Sequence, residues 1–384
     1  MNKVKLGLIF GTRPETIKMF PIISEIKKYP ELIDYKIILT GQHREMLDQM
    51  LNTFEIIPDY DLNIMKENQD LSQILSKSIS SIEKILMKEM PDMVLVQGDT
   101  TTTFAGAMAA FFQHIKIAHI EAGLRTNNKY YPFPEEINRH LTSVLADIHF
   151  APTDKSCLNL LAEGISRENI FISGNTVIDA LFSVAKKRYL FKNEILKDKK
   201  LFNHKVILVT MHRRENWGEP LRNICQALIR ILKENPSAFI IFPMHKNPKI
   251  REEVLRILNG NKRIILLDTL DYEDMVNLMS KSYIILTDSG GIQEEAPSLA
   301  KPILVLRNET ERPEALAQGT VDLVGTNCGH ITKKVNELMN DKNKYLEMIK
   351  SNNPYGDGKA SSRIIKKILN YFKLLNTVPD EFKA

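Results

Sequence analysis

Short runs of consecutive apolar residues, many of them β-branched, recur along the chain. Longer amphipathic stretches of helical length separate them. Runs at 4–10, 35–40, 93–97, 116–120, 148–151 and 170–173 predict one series of strands. Runs at 205–210, 238–243, 264–267, 282–287, 303–306 and 321–324 predict a second. Most are continuously apolar rather than alternating, as expected of strands covered on both faces in a parallel sheet. The stretches between them read as helices. Strand and helix in alternation predict a doubly wound α/β fold, here occurring twice.

The two series echo each other weakly. The run 6–10 leads into Gly11-Thr12-Arg13-Pro14-Glu15, and the run 206–210 leads into Met211-His212-Arg213-Arg214-Glu215. The best boundary between them is at Gly174-Asn175-Thr176. Near the end, 352–358 is rich in Asn, Pro and Gly and breaks structure. A helix follows, with Ser361 or Ser362 as possible cap and Ile364, Ile365, Ile368, Leu369 and Phe372 on one face.

Composition narrows the class. At 384 residues the chain exceeds the roughly 250–300 residues at which single cores stop growing, so two domains are expected. With 43% hydrophobic and 26% charged residues it has enough apolar material for two cores. The net charge of +5 is small and spread along the chain. Lysine is densest around 186–205 and 359–373, which read as solvated faces without the aromatic interleaving of a nucleic-acid patch. Cys157, Cys225 and Cys328 fit no metal or redox spacing and point to a reducing compartment. The apolar run at 6–10 is too short for a signal peptide, and no stretch approaches the ~20 residues that span a bilayer. A cytoplasmic protein with no membrane or nucleic-acid partner is expected.

Ligands of open parallel sheets bind beyond the carboxyl ends of the strands, so polar residues directly after strands carry the candidate chemistry. Ser289, Gly290 and Gly291 stand between an apolar run and a helix bearing Glu294 and Glu295. Glycines admit close backbone approach and a helix N-terminus offers free N–H groups, so this is either a diphosphate cradle or an ordinary tight turn. No G-x-G-x-x-G follows the first strand, which argues against a dinucleotide. Arg13 and Lys18 could reach an anionic ligand, although Lys18 alone also reads as a solvated helix residue. Asp99, Glu121 and Glu135 lie at strand ends or in the following loop. Asp99, before four threonines, could merely cap a helix. Three acids on successive loops of one sheet suit proton abstraction or oxocarbenium stabilisation. His212 ends a strand. No catalytic metal is expected, because no His, Asp, Glu or Cys set has ligand-like spacing.

The segments GTRPETIKMFPI, TGQH, VQGDTTTTFAGAMAAF, HIEAGLRT, PFPEEINRH, GNTVIDAL, MHRRENWGEP, MHKNP and LTDSGGIQEEAPSLAKPILVLRNETERPEA run in order through most of the chain. Together they resemble the non-hydrolysing UDP-N-acetylglucosamine 2-epimerases of bacteria and archaea. The resemblance implies a GT-B fold of two Rossmann-like domains. It implies residues 1–174 with a returning helix in 361–384 as the first domain, and 175–360 as the second, UDP-binding one. It implies reversible conversion of UDP-GlcNAc to UDP-ManNAc, feeding surface polysaccharide synthesis, by a homodimer that needs neither NAD nor metal. The family's catalytic residues fall on Asp99, Glu121, Glu135 and His212. Its UDP-binding positions fall on Arg13, Lys18, His245, Ser289, Gly290, Gly291, Glu295 and Arg312. Gln42, His43 and Gln69 resemble parts of a site at which UDP-GlcNAc activates bacterial members. Met211 departs from the Thr or Gly that many members carry before the histidine. A hydrolysing epimerase, a GT-B glycosyltransferase, a non-catalytic sugar-binding protein and a relative with another UDP-sugar are the alternatives.

Overall fold

The computed structural model describes residues 3–41, 44–65, 69–310, 312–350 and 352–384. It divides into two compact units. One is Met1–Ala180 with Tyr355–Ala384, and the other is Leu181–Pro354. The expected division, 1–174 with 361–384 against 175–360, differs from these limits by six residues at each crossing.

The first unit contains β1 (Val4–Phe10), β2 (Ile33–Leu39), β3 (Tyr60–Asp61), β4 (Met93–Gln97), β5 (Lys116–Ile120), β6 (Ile148–Ala151) and β7 (Ile170–Ile172). They form one sheet in the order β3-β2-β1-β4-β5-β6-β7, every pair parallel. The second unit contains β8 (Lys205–Thr210), β9 (Ala238–Pro243), β10 (Ile264–Leu267), β11 (Ile284–Thr287), β12 (Ile303–Val305) and β13 (Val321–Leu323). Their order is β10-β9-β8-β11-β12-β13, again all parallel. Each unit is thus a Rossmann-like doubly wound sheet. The apolar runs become strands because helices cover both faces: Leu6, Leu8, Ile9, Val94, Leu95 and Val96 are fully buried, as are Val206 to Val209. The two-residue β3 left no signal in the sequence. Its pairing with Ile38 and Leu39 defines it.

In both sheets the chain reverses its direction of winding next to the first strand, between β1 and β4 and between β8 and β11. Such switch points open a crevice at the carboxyl ends of the strands. A hydroxyl pair marks each one: Thr40 with Thr102 at 2.7 Å, and Thr210 with Thr287 at 2.6 Å.

The helix Ala360–Tyr371 lies in the first unit, with Ile364, Ile365, Ile368 and Leu369 fully buried. Neither serine caps it. Lys359 is the N-cap, and the Ser361 hydroxyl donates to Asp179 at 2.5 Å. Asp179 also accepts the N–H groups of Ala360 and Ser361, at 3.1 and 2.8 Å. Beyond the helix, the Phe382 N–H donates to Ile172 O at 2.8 Å, so the tail covers the open edge of β7. Among the described residues no helix is long and apolar enough to cross a membrane.

Candidate active site

The turn after β1 is built around Glu15. Thr12 caps the helix Arg13–Ile26 in a reciprocal box with Glu15. The Glu15 Oε2 accepts the N–H groups of Gly11 and Thr12, at 2.7 and 2.8 Å. Its Oε1 accepts the hydroxyls of Thr100 and, at 3.3 Å, Thr103. This one buried carboxylate therefore ties the turn after β1 to the turn after β4. Burial raises its pKa, against the hydrogen bonds that favour the charged form. Gly11 is required here, because a Cβ would meet the Thr40 hydroxyl at 1.8 Å. Arg13 becomes the first helical residue, half-buried.

Lys18 does not sit as a solvated helix residue. Its ammonium lies 2.7 and 2.5 Å from the two carboxylate oxygens of Glu121. Gln97 donates to the same carboxylate from the end of β4, and Asn175 does so at 3.4 Å. Glu121 follows β5 directly with a φ of 65°, a left-handed conformation that a non-glycine residue adopts at a cost. Gly98 N–H donates to Ile120 O at 2.9 Å, which brings the two strand ends carrying Asp99 and Glu121 side by side.

Asp99 is not a helix cap. Thr100 takes that position, and the Asp99 carboxylate accepts two bonds from Arg139, at 3.0 and 2.7 Å. Arg139 also donates to Glu136 at 2.8 Å, and Asn138 donates to the Asp99 carbonyl at 2.9 Å. Burial would raise the pKa of Glu136, but the N–H groups of Asn127 and Thr126 and the Arg139 charge outweigh it and hold the value low. Glu135 opens the helix Glu135–Leu145, half-buried, with its carboxylate in no hydrogen bond among the described residues. The helix that presents Glu135 thus also anchors Asp99.

His119 supports the same strand ends from below. It is fully buried, with Nε2 2.7 Å from Gly98 O, and burial pushes its pKa down to about 3. It is neutral at physiological pH, and the contact with a carbonyl requires the proton on Nε2.

In the second unit, His212 and Asp288 meet across the switch point between β8 and β11, with Nδ1 to Oδ1 at 2.9 Å. Asp288 is fully buried, whereas the His212 side chain is 43% exposed. Asp288 also accepts the N–H groups of His212 and Arg213, at 3.1 and 3.0 Å, and the Asn216 amide at 3.0 Å. Burial would raise its pKa; the bonds from His212, Arg213 and Asn216 reverse that and lower it. A carboxylate on Nδ1 fixes the ring and leaves Nε2 facing outward, the arrangement of an oriented acid, base or hydrogen-bond donor.

Ser289 is the N-cap of the helix Gly290–Glu295 and makes no side-chain cap bond. A Cβ on Gly290 would meet nothing closer than Arg213, at 3.8 Å, so the backbone there is open to close approach. Gly291 is exposed and Glu295 half-buried. Arg312 bonds to the buried Glu294, the neighbour of the expected Glu295. His245, after β9, is exposed and accepts the Asn247 N–H on Nδ1 at 3.2 Å, which again leaves Nε2 outward. Gln69 is half-buried just before the cap of the helix Leu71–Glu89. Gln42 and His43 lie outside the described residues.

Sequence reasoning found the acids and the histidine at the strand ends. It missed Gln97, His119, Glu136, Arg139, Asn175 and Asn216 as their holders. One signal was available: Glu136 and Arg139 stand three apart on a helix, the spacing of an ion pair. Among the described residues no group of three or more His, Cys, Asp or Glu side chains could hold a metal ion.

Known proteins are similar to this chain over nearly its whole length. The family model for UDP-N-acetylglucosamine 2-epimerase matches residues 24–369. The UDP-N-acetylglucosamine 2-epimerase of Bacillus subtilis is 47% identical over 382 residues, covering 100% of this chain and 99% of that one. The enzyme of the same description from Campylobacter jejuni is 50% identical, covering 95% and 97%. A crystal structure of UDP-GlcNAc 2-epimerase from Neisseria meningitidis bound to UDP-GlcNAc superposes with a TM-score of 0.84 at 49% identity, covering 96% of this chain and 100% of that one. The chain belongs to the UDP-N-acetylglucosamine 2-epimerase family.

Proposed function

We propose that the protein interconverts UDP-N-acetylglucosamine and UDP-N-acetylmannosamine by reversible inversion at C2, without hydrolysis. No carbonyl stands next to C2, so its proton becomes acidic only as the C1–O bond to UDP breaks. UDP leaves with the bonding electrons, a carboxylate takes the C2 proton, and neutral 2-acetamidoglucal remains. UDP then returns to C1 while a proton is delivered to the opposite face of C2. The cycle consumes no water and changes no oxidation state, so it calls for no redox cofactor.

The observation that carries this reading is the placement of Asp99 and Glu121 on adjoining strand ends at a switch point, each held by a cation. With Glu135 they supply the base and the acid. His212, oriented by Asp288, serves the diphosphate. Arg13, His245, Arg312 and the backbone at Ser289, Gly290 and Gly291 bind UDP, with Glu295 on the ribose. Lys18 acts through Glu121. The same reading includes a cytoplasmic homodimer making a precursor for surface polysaccharide, with Gln42, His43 and Gln69 near a second UDP-GlcNAc that activates it.

Incubation with UDP-GlcNAc alone in D2O, followed by proton NMR, tests the proposal. UDP-ManNAc carrying deuterium at C2 is the expected product. Free ManNAc with UDP identifies the hydrolysing reaction instead. An unchanged substrate identifies a transferase or a different sugar.

A further inference from the structure

Between residues 186 and 204 the chain carries seven cations and two acids. The sequence suggests a solvated face there, but the fold interleaves aromatic rings among the lysines. Phe191 and Phe202 stack with centroids 5.4 Å apart, and Tyr189 packs edge-on to Phe191 at 5.2 Å. The Tyr189 hydroxyl donates to Asp274 at 2.8 Å, which pins the cluster to the helix Tyr272–Lys281. The rings form part of the wall of a cavity of about 490 Å³. That volume falls within the ~300–1,000 Å³ range of small-molecule sites.

Lys187, Arg188, Lys197, Lys199 and Lys281 also line it. Glu194 neutralises Lys197 at 2.5 Å. Among the described residues the other four cations have no acid within ion-pair distance, and Lys281 instead sits 5.5 Å over the Phe202 ring. Four like charges around one apolar-walled cavity repel one another, and a multiply charged anion relieves that repulsion. The place is also distinct from the candidate active site. Lys281 precedes β11, and residues 199–203 precede β8, at the amino ends of strands that pair in register through Ile284 and Ile207. His212 and Ser289 follow the carboxyl ends of the same strands, about 20 Å away along β8.

We propose that this cavity binds a phosphate ester with an apolar or aromatic body. Lys187, Arg188, Lys199 and Lys281 hold the phosphate, and the body lies on Leu190 and Phe202. Two sources share that chemistry: a soluble organic phosphate, or a lipid phosphate whose chain runs over the exposed Leu190 (76%) and Ile195 (51%).

The test uses the full chain and two probes at low ionic strength. One is 1-naphthyl phosphate, measured by calorimetry. The other is vesicles of phosphatidylcholine with phosphatidic acid, measured by flotation against pure phosphatidylcholine. Saturable binding of either probe is expected. The triple variant Lys187→Ala, Arg188→Ala, Lys199→Ala should weaken it about tenfold or more. A charge-matched control, Lys233→Ala, Lys262→Ala, Lys333→Ala, should bind as the unaltered protein does. Arg188→Ala alone, with a smaller loss, serves if the triple variant unfolds. Binding of the naphthyl probe alone assigns a soluble ligand, vesicle binding alone assigns a lipid, and binding of both assigns a site that reads the phosphate from either. Failure of both probes, or equal loss in the two triple variants, overturns the proposal.

Discussion

Lys18 donates to both carboxylate oxygens of Glu121, joining the first helix to the end of β5 at 2.7 and 2.5 Å. A lysine one turn into a helix at a strand end reads as a phosphate ligand, but here its charge is spent on an acid. We predict that Lys18→Met lowers kcat at least tenfold while changing the UDP dissociation constant less than about threefold. Calorimetry with UDP and steady-state kinetics separate the two. A tenfold loss of UDP affinity with kcat intact would return Lys18 to the phosphate.

The acids themselves should matter more. Asp99→Asn and Glu121→Gln are each expected to lower turnover by ~100-fold or more while UDP still binds. Full turnover in both variants sinks the proton-transfer assignment.

Asp288→Asn tests the holder of His212. The carboxylate pKa is depressed in the folded protein. Its stabilisation is therefore complete above the unfolded value near 3.8 and is lost as pH falls through the lower folded one. The variant should melt below the unaltered protein at pH 7, by about 1–3 kcal/mol of stability, and the gap should narrow below pH ~4. A gap in Tm that stays constant from pH 7 to 3 contradicts this.

His119 gives the opposite kind of pH dependence. Its folded pKa is lowered to about 3, so below the unfolded value of 6.5 the unfolded chain binds the extra proton. Stability of the first unit should fall as pH drops from 6.5 toward 3. In His119→Gln that slope should be shallower when denaturant midpoints are compared across this range. An identical slope shows that other groups govern acid unfolding.

Glu15→Ala removes the shared acceptor of the Gly11 and Thr12 N–H groups. Two buried donors without partners cost about 2–4 kcal/mol. Chemical denaturation should show that loss, and UDP affinity should fall with it because Arg13 is positioned by the same turn. Unchanged stability would mean that water replaces the carboxylate without penalty.

The strands were legible because parallel strands are buried on both faces, which writes an unbroken apolar run into the chain. β1, β4, β5, β6, β8, β9 and β10 begin and end with those runs. β3 was not, because a two-residue strand is defined by its neighbour. The acids were legible because strand ends are where chemistry collects. Their holders were not. Gln97 reaches Glu121 only because β4 pairs with β5, and Arg139 reaches Asp99 across forty residues. Such contacts follow from strand order, which local pattern does not encode. The serine expected to cap the last helix shows the same thing: its hydroxyl goes to Asp179, far away in sequence.

That Asp179 contact has a consequence for how the protein is made. The first unit is assembled from Met1–Ala180 and Tyr355–Ala384. Among the described residues, its buried Asp179 takes its hydrogen bonds from Ala360 and Ser361, and the edge of β7 is covered by Glu381 and Phe382. On the ribosome, where domains usually fold in the order they emerge, the second unit has all of its residues first. The unit that emerges first must wait, with a buried-acid site open and a sheet edge bare, until residues 355–384 have also emerged.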